Sequence, residues 1–134
     1  MRARLTPGVF ALLLALSGCG SGHASSDSTR TAPAAPKAKV TLTAATHRPR
    51  AGAPWPIVIR AFGPDGRPLS AEVRYQYLFA GQVVAHRSHY RFRGVFHDTF
   101  RWPARSLGIP LTFRAVVTTP LGTTNLDYAV RVRR

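Results

Sequence analysis

The chain has 134 residues, with 19 lysines and arginines against five acids and a formal charge of +14. One domain's length, a single cysteine and five acids exclude an intrachain disulfide and leave little for paired-carboxylate catalysis. Arginines outnumber lysines 17 to two. This bias, with many Ala, Gly and Pro, reads first as the mark of a GC-rich genome and second as a binding function, since the planar guanidinium bonds phosphate and carboxylate bidentately.

Arg2 and Arg4 give a positive start, and Val9 to Leu16 form a short apolar run. A secretory h-region has this length, whereas a membrane-spanning helix needs roughly 20 apolar residues. The small Ser17 and Gly18 then precede Cys19, the only cysteine. The stretch Leu16-Ser17-Gly18-Cys19 resembles the lipobox of bacterial lipoprotein precursors; the alternative is an ordinary secretory signal with an incidental cysteine. The resemblance implies that residues 1–18 are removed and that Cys19 carries lipid. The protein is then expected outside the cytoplasm, anchored to the bacterial membrane. Loss of Arg2 and Arg4 leaves 17 basic residues against five acids, a formal charge of +12.

Residues 19–39 are Ser-, Ala- and Pro-rich without a large apolar side chain, so they cannot offset ordering entropy by burial. They are expected to be a flexible tether between lipid and domain, with a reach of roughly 25 Å.

Residues 40–134 change to period-two alternation, the pattern of half-buried strands. Val40 and Leu42 alternate with threonines. After the loop 47–54, Trp55, Ile57 and Ile59 share one face, with Val58 and Arg60 on the other. Gly63-Pro64-Asp65-Gly66 is a turn. Val73, Tyr75, Tyr77 and Phe79 are expected inward, opposite Glu72, Arg74 and Gln76. Ala80-Gly81 turns the chain into 82–85, Tyr90 and Phe92 alternate with His89, Arg91 and Arg93, and Gly94 marks a turn or bulge. Phe96, Phe100 and Trp102 share a face up to Pro103. Residues 111–119 and 124–133 are expected to form a hairpin turning at Leu121-Gly122. That register sets Val117 opposite Leu126, Ala115 opposite Tyr128 and Phe113 opposite Val130. No window carries apolar residues at helical spacing over three turns. The pattern predicts an all-β domain, an antiparallel sandwich of about seven strands without a disulfide.

Three phrases add a resemblance. Arg50-Ala51-Gly52-Ala53-Pro54-Trp55, Gly63-Pro64-Asp65-Gly66-Arg67-Pro68-Leu69 and Gly108-Ile109-Pro110-Leu111-Thr112-Phe113-Arg114 are similar to stretches of bacterial immunoglobulin-like or fibronectin-III-like domains. The resemblance implies the sandwich fold and no particular activity.

Chemistry-bearing patterns are few. No Gly-x-Ser-x-Gly, phosphate loop or His-Glu-x-x-His occurs. The adjacent His97 and Asp98 point to opposite faces of a strand and form no dyad. The expectation is a domain without catalysis and without a cofactor. His86, His89 and His97 invite an alternative, a ligand or metal carrier using segment 86–97; the His-x-x-His spacing splits its rings across a strand, and Arg87, Arg91 and Arg93 repel a cation. No metal site is therefore expected there. Arg74, Arg114 and Arg131 fall on outward positions and form a candidate anion-binding face for an envelope polymer or lipid headgroup. Nucleic acid ranks last among partners, because Tyr75, Tyr77 and Tyr128 have inward parity and offer no stacking platform.

Overall fold

The computed structural model describes residues 33–134, so the lipobox, Cys19 and most of the tether lie outside the described residues. Seven strands follow in chain order: β1 (Lys39–Ala44), β2 (Pro54–Phe62), β3 (Ser70–Phe79), β4 (Gln82–Arg93), β5 (Val95–Arg101), β6 (Pro110–Thr119) and β7 (Gly122–Arg131). One 3-10 turn, Ala104–Ser106, lies between β5 and β6. All strand pairs are antiparallel, in a three-stranded sheet β1-β2-β5 and a four-stranded sheet β4-β3-β6-β7. This is an Ig-like β-sandwich. It departs from the antibody constant arrangement in that the fourth strand joins β3 and not β5.

The alternation seen in sequence is the burial pattern. In β2, Trp55, Ile57, Ile59 and Ala61 are buried, while Pro54, Pro56 and Arg60 are exposed. Val73 and Tyr75 of β3 and Phe113, Ala115 and Val117 of β6 meet them from the other sheet. With no disulfide available, aromatic rings join the two layers. Trp55 lies within 5.4–6.2 Å of the rings of Trp102, Phe113, Tyr128 and Phe100. Each such contact is worth about 0.5–1.5 kcal/mol beyond area burial.

Three expectations need correction. First, the β6–β7 hairpin is displaced by two residues: Phe113 faces Tyr128, Ala115 faces Leu126 and Val117 faces Thr124. Thr119 pairs with Gly122, so the turn is Pro120-Leu121 and not Leu121-Gly122. Thr119 closes it with Oγ1, which donates to the Gly122 carbonyl and accepts from the Leu121 N–H. A two-residue slip preserves side-chain parity, so Phe113 and Val130 still share a face. Second, Phe79 is 46% exposed. It sits at the mouth of the β3–β4 hairpin, beyond Tyr77, whose ring meets Trp102 at the border of the core. Third, loop 47–54 is no simple connection. Arg131 and Arg133 donate backbone N–H groups to His47 O and Pro49 O, and Ala51 donates to Arg133 O. The loop thereby adds a parallel rung to the end of β7 and covers part of that sheet edge.

Two of the turns that enter the left-handed backbone region shape the sheets directly. Ala80 (φ 47°) and Gly81 (φ 78°) close the β3–β4 hairpin, both with positive φ as a type I′ turn requires. Alanine carries a Cβ penalty there that Asn or Gly largely avoids. Gly94 (φ 72°) lets the chain cross from the four-stranded to the three-stranded sheet. Its N–H reaches Leu69 O and its carbonyl accepts from Ala61 N–H, and a Cβ there would lie 2.8 Å from Pro68 Cβ.

Gly94→Ala is expected to destabilise the domain by about 1–3 kcal/mol, from positive-φ strain plus the Pro68 clash. Ala80→Asn is expected to stabilise it by about 0.5–1 kcal/mol. Urea unfolding midpoints check both; an unchanged midpoint for Gly94→Ala would contradict the crossing geometry.

Candidate anion-binding site

Strand register fixes where each candidate side chain stands. Arg74 pairs with Val116, Arg114 with Gln76 and Asp127, and Arg131 with Pro110. All three arginines therefore occupy the outer face of the four-stranded sheet. They do not stand there alone. Arg114 makes a bidentate pair with Asp127, Nε to Oδ1 at 2.6 Å and Nη2 to Oδ2 at 2.7 Å. On the same face Arg91 pairs with Glu72 at 3.5 Å. The hydrogen bonds from Arg114 hold the Asp127 carboxyl below the ordinary carboxylate range, and that carboxylate raises the guanidinium of Arg114. Because the folded value is the lower one, the pair's contribution is complete above the unfolded carboxyl value of about 3.9. It is lost as pH falls through the folded value. Sequence reasoning missed this pair for one reason: the expected register set Arg114 opposite Ala129.

The register also defines two ends of the sandwich. At the entry end, Lys39 pairs with Phe62, Ser70 with Arg93, and Gly94 crosses between sheets. At the opposite end, Pro54 pairs with Arg101 and Pro110 with Arg131. Bridges Arg50–Arg133, Ala51–Trp102 and Leu107–Val132 tie the two sheets there. Arg48, Arg50, Arg131, Arg133 and Arg134 crowd this opposite end, with Arg101 and Arg105 beside them, and all are exposed. Three ion pairs occur among the described residues, Arg67–Asp65, Arg91–Glu72 and Arg114–Asp127, and none uses one of these seven arginines.

Local hydrogen bonds shape this end. Trp55 Nε1 donates to Thr46 O at 2.8 Å and Arg48 N–H to Thr46 Oγ1 at 3.0 Å, fixing the loop that carries Arg48 and Arg50. His47 stacks on Tyr128 at 3.9 Å, with Nδ1 2.7 Å from Ala129 O. Arg133 Nε donates to Arg48 O, Arg50 Nε to Arg134 O and Arg101 Nη1 to Gly52 O. Two adjoining concavities of about 500 and 370 Å³ share Arg48 and Arg131 as lining residues.

The histidines are dispersed. His86 pairs with Gln76 on the four-stranded sheet, and His97 with Val58 on the three-stranded sheet. His89 falls in a β4 irregularity between Arg87, opposite Tyr75, and Tyr90, opposite Val73. Asp98, adjacent to His97, turns inward and accepts from Tyr75 Oη at 3.2 Å. Burial first, and then the neighbouring Asp98 carboxylate, push the Tyr75 hydroxyl well above the ordinary tyrosine range. Tyr77 is also raised by burial, against the opposing pull of Arg87. Arg87 itself lies over the Phe100 ring at 5.0 Å.

No protein-family model and no curated protein matches the chain. Among solved structures, it is similar to the PKD domain of a peptidase from a Thermoplasmatales archaeon at 11% identity and a TM-score of 0.45, covering 74% of this chain and 96% of that one. It is also similar to the sporulation control protein Spo0M from Bacillus subtilis, at 12% identity and a TM-score of 0.45, covering 73% of this chain and half of that protein. A third is the CARDB domain of a Pyrococcus furiosus protein in complex with di-metal ions, at 12% identity and a TM-score of 0.43, covering 72% and 88%.

Asp127→Asn releases Arg114 without removing a core contact. In the full chain carrying Cys19→Ser it is expected to tighten binding to anionic vesicles by at most about fivefold, the worth of one more basic group near such a surface. Co-sedimentation measures this; weaker binding would show that Asp127 organises the face and does not mask it.

Proposed function

We infer that this protein is a membrane-anchored extracytoplasmic lipoprotein whose Ig-like domain binds anionic envelope partners and performs no chemistry of its own. The lipid on Cys19 is the anchor, and the residues between it and β1 are the tether. Support for the anchor comes from Leu16-Ser17-Gly18-Cys19 after a short apolar run. Support for the binding role comes from one observation: Arg74, Arg114 and Arg131 share the outer face of a single sheet. The partner of that face is an anionic polymer or headgroup, held by charge and not by sequence readout.

Two measurements test this reading. Intact-mass analysis of the membrane fraction is expected to show Cys19 as a lipidated N-terminus, with Cys19→Ser left unprocessed or released. An unmodified Cys19 behind another N-terminus would overturn the anchor. The Cys19→Ser chain is expected to sediment with anionic but not neutral vesicles, at micromolar affinity or weaker, and to release as salt shortens the Debye length from about 10 to 3 Å. Replacing Arg74, Arg114 and Arg131 with Gln is expected to weaken this binding severalfold. Equal sedimentation with both vesicle types would contradict an electrostatic role.

A further inference from the structure

We propose that the end of the sandwich opposite the start of β1 is a second, stronger anion site, built to grip a linear polymer bearing repeated phosphate or carboxylate groups. It deepens the anionic-partner reading and rests on it only for the charge class of the ligand. The structural grounds do not depend on Cys19, and Arg131 is the one residue shared with the sheet face.

The first ground is charge separation along the sandwich. Asp65 and Glu72 lie at the entry end, in the turn before β3 and near its start. Asp98 and Asp127 lie part-way along β5 and β7, three and four residues short of Arg101 and Arg131. At about 3.3 Å per residue these separations are roughly 10 and 13 Å. Both exceed the Debye length of about 8 Å at physiological salt, so neither acid offsets the arginines at the end. The opposite end thus carries seven exposed arginines and no acidic side chain among the described residues.

The second ground is preorganisation. Guanidinium groups normally lose rotamer entropy when they bind. Here Arg133 already donates one N–H to the Arg48 carbonyl, and Arg50 donates one to the main-chain oxygen of Arg134, across the Arg50–Arg133 bridge. Each group has five N–H donors, so four remain to face a ligand. Arg48, Arg131 and Arg134 line the adjoining groove beside the glycine backbone of Gly108. The fork geometry of several arginines along one groove suits successive oxyanions of a chain better than one isolated ion.

The third ground selects the polymer's source. The polypeptide before β1 enters at Lys39, and the arginine end lies a strand length away, roughly 33 Å for ten residues. The occupant is a soluble or wall-borne polyanion, because a row of guanidinium forks along one groove matches the repeated oxyanions of a linear chain; stronger binding to anionic vesicles than to either polymer would assign this end to the lipid layer instead.

The test uses the full chain reconstituted in neutral nanodiscs, with long-chain inorganic polyphosphate and polygalacturonate as probes and anionic vesicles as the lipid arm. The groove variant is Arg48→Gln/Arg131→Gln/Arg134→Gln. The face variant is Arg74→Gln/Arg114→Gln, and the charge-preserving control is the groove triple to Lys. We expect the groove variant to weaken polymer binding by about tenfold or more at low salt. The slope of log K against log salt should fall by about two, at roughly 0.7 per lost contact. The face variant should stay within about twofold of the native chain, and the Lys control should keep the native slope while losing part of the affinity. Equal losses in groove and face variants, or no polymer binding at low salt, would overturn the proposal. Failure of vesicle binding alone overturns the sheet-face reading and leaves this one standing.

Discussion

Trp55 is the contact on which the rest depends. It is 1% exposed and touches rings contributed by both sheets. In antibody domains a disulfide crosses between the layers; here the aromatic cluster joins them by packing alone. Several ring contacts at about 0.5–1.5 kcal/mol each rival a typical disulfide contribution of about 2–4 kcal/mol. The same indole also donates its only N–H to Thr46 O. The anchor of the core is thus the anchor of the loop that delivers Arg48 and Arg50. Core order and surface charge are coupled through one residue.

A second consequence follows from the route of that loop. By adding a parallel rung to the end of β7, residues 47–51 cover an edge that would otherwise expose unpaired backbone. The β4 edge is treated differently. It is long and outermost, and it carries His86, Arg87, His89, Arg91 and Arg93 without an acid. Two such edges repel one another, which protects against strand-to-strand association. Arginine therefore serves three separate purposes in this fold: edge protection on β4, pairing with a carboxylate at Arg114, and uncompensated charge at the end opposite Lys39.

Fold class was legible because alternation is local. Trp55, Ile57 and Ile59 face inward for the same reason in sequence and in structure, that one side of a strand is buried. Register was not legible. A two-residue slip in the last hairpin leaves every inward residue inward, so hydrophobic pattern cannot choose between the two pairings. Pro120-Leu121 closes the turn with the help of Thr119 Oγ1, a side-chain contact that turn composition did not foretell. That slip hid the Arg114–Asp127 pair. The arginine end was hidden for another reason. Arg48 and Arg50 stand more than 80 residues before Arg133 and Arg134, and only the parallel bridge brings them together. Periodicity reports faces; it does not report ends.

The central claim is that the fold gathers its uncompensated arginines at one end and that a polyanion is gripped there. Backbone amide chemical-shift mapping during a titration with long-chain polyphosphate tests this most directly. The account predicts perturbations centred on Arg48, Gly108, Arg131, Arg133 and Arg134, with the entry-end amides of Lys39, Ser70 and Arg93 unmoved. Shifts distributed evenly over arginines of both ends would contradict it, showing that the basic charge acts only as a diffuse field.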